Sequence, residues 1–393
     1  MRRIVALLFI LSLAGCATLT NMTDSVGDLF KDSDNSEPPA ELTEYQPEIK
    51  LEIIWDESDG DGTDELALNL VPAVANGRII IADRDGLIQA RSLLDGELFW
   101  EVETDLPISS GPVIDNNLLF VGTSKADVLA LNTSTGEAVW RHRVSSEVMA
   151  LPVVVDDKLI IRSADGFDVA LNRADGAELW SVQHTNPALS VRGEGSPVVV
   201  GELVIIGYAN GKLIALNSSD GAHVWETSIA IPRGRSEIDR LTDLNGTPVL
   251  RDDIIFVSSY KSGVNAVTPV DGEILWRNEL LSAFHGLSAD YSYLYLSDAS
   301  SDVWQLDQRN GASYWKQTDL HQRRLTIPAV YGDYVVVGDF EGYLHWLSKT
   351  DGRLLARIEI TDEAIVAQPV VVNDILYVYA SDGTLAAVRV PLF

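Results

Sequence analysis

Four arginines, Arg192, Arg233, Arg235 and Arg240, and four acids, Glu194, Glu237, Asp239 and Asp243, cluster in two stretches of a 393-residue chain whose formal net charge is −29. A guanidinium offers a planar fork of donors to carboxylates or backbone carbonyls, which makes arginine a frequent anchor of protein interfaces. The pattern points to binding chemistry on a locally neutral patch. Catalytic patterns do not compete with it. The six histidines, at 142, 184, 223, 285, 321 and 345, stand singly and without zinc-ligand spacing. The sequence has no G-x-S-x-G, H-E-x-x-H or P-loop run, and no motif sets a histidine beside Ser196 in its loop. Glu57 to Gly62 opens like a calcium loop, but the twelfth position, where a bidentate Glu belongs, is Leu68. A solvated acidic turn is expected there, and no metal.

Cys16 is the single cysteine, so no disulfide can form within the chain. It follows a charged start, Arg2-Arg3, an apolar run from Ile4 to Leu13, and Ala14-Gly15, which together read as a targeting segment too short to span a bilayer. Leu13-Ala14-Gly15-Cys16 resembles a bacterial lipobox. This implies that residues 1–15 are a lipoprotein signal peptide and that Cys16 is acylated, with Ala17 rather than Asp after it implying an outer-membrane destination. Residues 16–45, rich in Ser, Asp, Glu, Asn and Pro, read as a flexible tether from lipid to fold. The strongly acidic balance argues against a nucleic-acid partner.

The elements that must position the two arginine-bearing stretches come from a repeat. Pro recurs at 72, 112, 152, 197, 248, 328 and 369, with Leu287-Ser288 standing in near 288, and Trp keeps step at 55, 100, 140, 180, 225, 276 and 315. Each unit of about 40 residues holds four short strands, the size of a propeller blade. Asp-Gly or Thr-Gly pairs, as at Thr135-Gly136, supply the tight hairpin between third and fourth strands. The segment at 346–356 has Ala356 where Trp is expected. Lys50 to Trp55 is a lone strand, and residues 369–390 supply three strands without a fourth. Joining the termini completes one sheet and closes a ring. The fold class is therefore all-β: an eight-bladed β-propeller over residues 46–393, four antiparallel strands per blade, the last blade closed by the N-terminal strand.

Trp to the next Pro takes 12 residues in the regular units but 17 from Trp180 to Pro197 and 23 from Trp225 to Pro248. Connections between blades all emerge on one face, so these two overlong loops must be neighbours on an enlarged rim. Loops raised on a rigid scaffold are where binding functions concentrate.

The run A-x-N-x-x-T-G-x-x-x-W at Ala130 to Trp140 resembles the tryptophan-docking repeat of PQQ-like propellers, quinoprotein dehydrogenases among them. Lipobox, tether and ring together, with the strings Leu189-Ser190-Val191-Arg192-Gly193-Glu194, Glu237 to Asp243 and Glu341 to Trp346, are similar to the BamB family. That resemblance implies a cofactor-free, non-enzymatic scaffold of the outer-membrane β-barrel assembly (Bam) complex, lipid-anchored on the periplasmic face. It implies binding of the periplasmic domains of BamA, and unfolded outer-membrane proteins as further partners. The family's Leu-x-Leu-Arg run and Asp-x-Asp pair match Leu189, Val191 and Arg192, then Asp243 and Asn245; Asn245 lacks the family's charge. The alternative is a periplasmic quinoprotein-like dehydrogenase using PQQ. Such enzymes carry a vicinal cysteine pair that this chain does not have.

Overall fold

In the computed structural model, residues 37–393 are described, apart from 64–67, 69, 186, 188–194, 232–241, 245, 260–261, 282, 284–285 and 392–393. The chain divides into a unit ending at Pro39, of which only the exposed Glu37–Pro39 are described, and a second from Ala40 to Phe393. The second unit is all-β: strands β1–β32 form eight separate four-stranded antiparallel sheets. Seven sheets use four consecutive strands, as in β6 (Ile108–Asp115), β7 (Leu118–Thr123), β8 (Asp127–Asn132) and β9 (Ala138–Arg143). The eighth joins β30 (Val370–Val372), β31 (Ile375–Tyr379) and β32 (Leu385–Arg389) to β1 (Glu52–Glu57), with Trp55 opposite Ala387. The ring is the eight-bladed propeller expected, closed by its own N-terminal strand. Blades are numbered here from the one beginning at Ala73.

Short apolar runs such as Leu118 to Val121 fill the second strands of the blades, and side chains from facing sheets interdigitate in separate clusters between neighbours. The repeated Trp joins one blade to the next. Trp100, on the outer strand of blade 1, donates its indole N–H to the Thr133 carbonyl of blade 2 at 3.0 Å. Its ring lies over Gly136, where an added Cβ would come within 2.7 Å of the indole. Gly136 also has φ +74°. The hairpin therefore requires glycine twice, for its backbone angle and for the ring that covers it. The same donation recurs from Trp140, Trp180, Trp225, Trp276 and Trp315, and from Trp55 across the closure to Leu93.

In blades 1 to 5 and 8 the Trp faces an alanine across the outer strand pair, as Ala90 with Trp100, Ala130 with Trp140 and Ala215 with Trp225, whereas in blade 6 Trp315 faces Gln305. Blade 7 reverses the pair, placing the fully buried Trp346 opposite Ala356. The volume is kept and its source changes strand. The reversal has a reason, because blade 8 takes its outer strand from the N-terminus and so has no hairpin for a Trp of blade 7 to cover.

The N-terminal approach occupies that place instead, and the seated chain starts before residue 46. Ala40 donates to the His321 carbonyl at 2.9 Å and accepts from Arg323 Nη1 at 3.0 Å. Arg357 donates to the Thr43 carbonyl at 3.0 Å and stacks over Tyr45. Glu48 takes a two-pronged pair from Arg353, and Ile49 and Leu51 pack against the core of blades 7 and 8. Composition favoured a tether as far as residue 45, but two arginines, Arg323 and Arg357, hold its last part.

Behind this seat lies a buried set: Arg323 and His345 both reach Asp339, His345 Nε2 at 2.9 Å. Burial holds the His345 imidazole below its ordinary range, against the opposing pull of Asp339. The unfolded imidazole, titrating near 6.5, therefore takes up its proton before the folded one. This group's stability contribution is present above that pH and is lost as pH falls through it. Thermal unfolding midpoints compared at about pH 7.5 and 5.5 should fall for the wild type and fall less for His345→Asn. Equal falls would show that His345 is not the titrating group.

Candidate functional site

The two overlong connectors leave the ring after β13 (Glu178–Gln183) and β17 (His223–Ser228) and return at β14 (Val198–Val200) and β18 (Val249–Arg251). Of the residues matched to the family's binding runs, Leu189, Val191, Arg192 and Asn245 lie outside the described residues, as does Cys16. Asp243 is described. It is 3% exposed, between the equally buried Thr242 and Leu244.

The roots of both connectors converge on one short loop of blade 4, Tyr208 to Gly211. On the first connector, the Tyr208 ring lies 4.6 Å from that of His184, and the Ser196 hydroxyl accepts from Leu151 N–H at 2.9 Å. On the second, Ile229 and Ala230 donate to the Gly211 carbonyl at 2.9 and 3.0 Å, and Thr242 Oγ1 reaches the Ala209 carbonyl at 3.4 Å. Leu244 N–H, on the returning side, donates to the Tyr208 carbonyl at 3.3 Å. The connectors also touch each other directly, Ser196 N–H donating to Thr247 Oγ1 at 3.1 Å. The neighbouring rim predicted from strand direction is present at their bases. A third connector joins it through a bridge between Thr247 and Gly286, and carries Leu280 95% exposed.

Beneath these roots is a polar cluster that motif searching missed. Arg162, 5% exposed, pairs with Asp168, 1% exposed, at 3.3 Å, and Tyr208 Oη donates to the same carboxylate. Arg162 Nη1 also donates to the carbonyls of Gly195 at 2.8 Å and Gly207 at 3.1 Å. Burial pushes the Asp168 carboxyl above the usual carboxylate range, against the opposing effects of Arg162 and Tyr208. Burial likewise lowers the His184 imidazole. The signal that could have found Arg162 is the repeat: the slot after the apolar run holds Ala82, Gly122, Gly207, Ser258, Ser297 and Gly338 in six other blades and Tyr379 in blade 8, and a cation in blade 3 alone.

The acidic turn near Asp59 is exposed, as expected, and is also engaged. Asp59 and Glu57 both pair with the buried Arg91, the latter at 3.5 Å. A PQQ site does not fit these residues. The single cysteine is residue 16, so there is no vicinal pair, and among the described residues no three His, Cys, Asp or Glu side chains converge as they would to hold the accompanying calcium.

A family profile described as "Outer membrane protein assembly factor BamB" matches residues 84–317 and 318–390. The chain belongs to the BamB family. The outer membrane protein assembly factor BamB of Pseudomonas aeruginosa is 43% identical over 350 residues, 89% of this chain and 92% of that protein. The crystal structure of BamB from Moraxella catarrhalis superposes with a TM-score of 0.78 at 27% identity, covering 86% of this chain and all of that one. A quinohemoprotein alcohol dehydrogenase from Comamonas testosteroni reaches a TM-score of 0.67 at 12% identity, a likeness of fold alone.

Proposed function

We propose that this BamB-family chain is a non-enzymatic outer membrane protein assembly factor, held at the periplasmic face of the outer membrane by acyl chains on Cys16. Its working surface is the rim formed by the two long connectors, which binds the periplasmic domains of BamA. Leu189, Val191 and Arg192 on the first connector and Asn245 on the second are the contact residues, and the buried Asp243 supports them from the base of the second. Holding that partner in place while outer-membrane proteins are delivered is its contribution to assembly. Residues 1–15 are the removed signal peptide, and the chain from Cys16 to Pro39 spans from lipid to ring.

The observation that carries this reading is the meeting of the two connector roots at Ser196 and Thr247 in a chain whose relatives are named assembly factors. Several acyl chains on Cys16, at about 0.8 kcal/mol per buried methylene, would give stable membrane anchoring. No comparable observation favours the dehydrogenase, since its likeness to this chain is limited to fold.

Affinity purification from detergent-solubilised envelope should recover BamA with the wild type and recover little with Arg192→Ala/Asp243→Asn. Cys16→Ser should move the chain to the soluble fraction. Undiminished BamA recovery with the double variant would remove the site assignment, and membrane retention of Cys16→Ser would remove the anchor.

A further inference from the structure

The slot at the end of the second strand holds a cation in blade 3 and in no other blade. In blades 2, 4 and 7 this slot is Gly122, Gly207 and Gly338, and an apolar residue of the following connector packs directly onto each. An added Cβ would lie within 2.4 Å of Val148, 2.8 Å of Leu244 and 2.5 Å of Ile365 respectively. Each of these plugs stands four residues before the proline that opens the next blade. Four residues before Pro197 the sequence has Gly193, which has no side chain to serve as a plug. Blade 3 fills the slot with Arg162, and the grip on the returning connector is polar and directional: Nη1 on the Gly195 carbonyl at 2.8 Å.

Blade 4 departs at the next position. There blades 1, 2, 6 and 7 cap their own loop, as Asp83 Oδ1 does by accepting from Asp85, Gly86 and Leu87, or as Thr123, Asp298 and Asp339 do. Blade 4 has Tyr208. Its hydroxyl crosses to Asp168 of blade 3 while its carbonyl receives Leu244 of the second connector. The Arg162 guanidinium stacks over the Tyr208 ring at 5.0 Å and donates to Gly207 at 3.1 Å. One buried cluster therefore holds the return of the first connector by Arg162 and the return of the second by Tyr208.

We propose that Arg162, Asp168 and Tyr208 form a buried clamp that sets the two long connectors in register with each other, so that partner affinity depends on side chains that do not touch the partner. They are positioning residues. The inference rests on the reading of the connectors as the docking surface. Lysine at 162 keeps a positive charge beside Asp168 but loses the planar fork that reaches two carbonyls.

Arg323, on the connector between blades 6 and 7, provides the internal control. It is as buried, pairs with Asp339 at 2.7 Å and donates to a backbone carbonyl at Ala40, but its connector is neither of the long ones. Thermal midpoint and affinity for the purified periplasmic part of BamA are measured for the wild type, Arg162→Lys, Tyr208→Phe, Arg323→Lys and Arg192→Ala. Arg162→Lys should weaken binding on the order of tenfold, as the loss of a directional buried grip would, and Tyr208→Phe should weaken it by less. Arg323→Lys should lower the midpoint comparably and leave affinity at the wild-type value. Should Arg162→Lys not fold, Tyr208→Phe, which removes one oxygen, carries the test. Wild-type affinity in both clamp variants, or equal affinity losses in Arg162→Lys and Arg323→Lys, would overturn the clamp. If Arg192→Ala also binds like the wild type, the docking surface falls together with the clamp; if only Arg192→Ala weakens binding, the clamp alone falls.

Discussion

A chain that begins after Glu57 is expected not to fold to a soluble monomer, whereas one that begins at Ala40 is expected to fold as the full chain does. The strand lost is β1, which supplies the outer edge of blade 8 by pairing with β32 from Glu52 opposite Arg389 to Glu57 opposite Leu385. With it goes Trp55, which packs 6.0 Å from the Tyr377 ring and donates to the Leu93 carbonyl at 3.2 Å, joining blade 8 to blade 1. Its removal exposes Tyr377, Leu385 and Leu93, leaves β32 as an unpaired edge, and opens the ring. An open edge of that length beside exposed apolar side chains is a template for aggregation. Size-exclusion chromatography of the two truncations decides the matter. A monomeric, cooperatively unfolding chain without β1 would mean that the closure does not hold the ring.

Trp225→Ala is expected to cost about 3–5 kcal/mol of stability, the range for removing a large buried aromatic. Trp225 packs with Ile205, Ala215, Ile255 and Val267, donates to the Pro269 carbonyl at 2.9 Å and covers Gly272, whose added Cβ would lie 2.5 Å from the indole. Its removal leaves a cavity between blades 4 and 5 and an uncovered hairpin. Trp304→Ala, at a partly exposed indole bonded to Asp298, should cost much less. Denaturant unfolding compares the two, and equal losses would show that the repeated Trp is not what joins the blades.

The ring was legible in the sequence because its parts are local. Gly136 and Trp140 sit six and ten residues after Ala130, and the same spacing recurs around the chain. What the Trp touches was not legible, since Trp100 meets Thr133 and Gly136 of the next blade rather than anything within its own unit. Ala356 looked like a missing Trp because the compensating Trp346 stands on the opposite strand, and cross-strand register is not written in the spacing. The tether extended too far on composition alone, because Arg323 and Arg357, some 300 residues later, hold Ala40 and Thr43.

The site divides in the same way. That the two long connectors are neighbours followed from strand direction and loop length, and Ser196 and Thr247 meet where their roots were expected. Asp243, matched to the family's binding pair, is 3% exposed among the roots, so its substitution tests local structure together with binding. The clamp escaped motif reading because Arg162, Asp168 and Tyr208 carry chemistry only together, and the Arg162 grip on Gly195 spans 33 residues. It is visible in sequence only as a long cationic side chain in a slot that is small in most blades.

Docking on the connectors after Trp180 and Trp225 is tested most directly by titrating the purified periplasmic part of BamA into the propeller carrying Arg192→Ala. The prediction is at least about a tenfold rise in Kd, the loss expected for an arginine interface anchor, with an unchanged thermal midpoint. An unchanged Kd would contradict it.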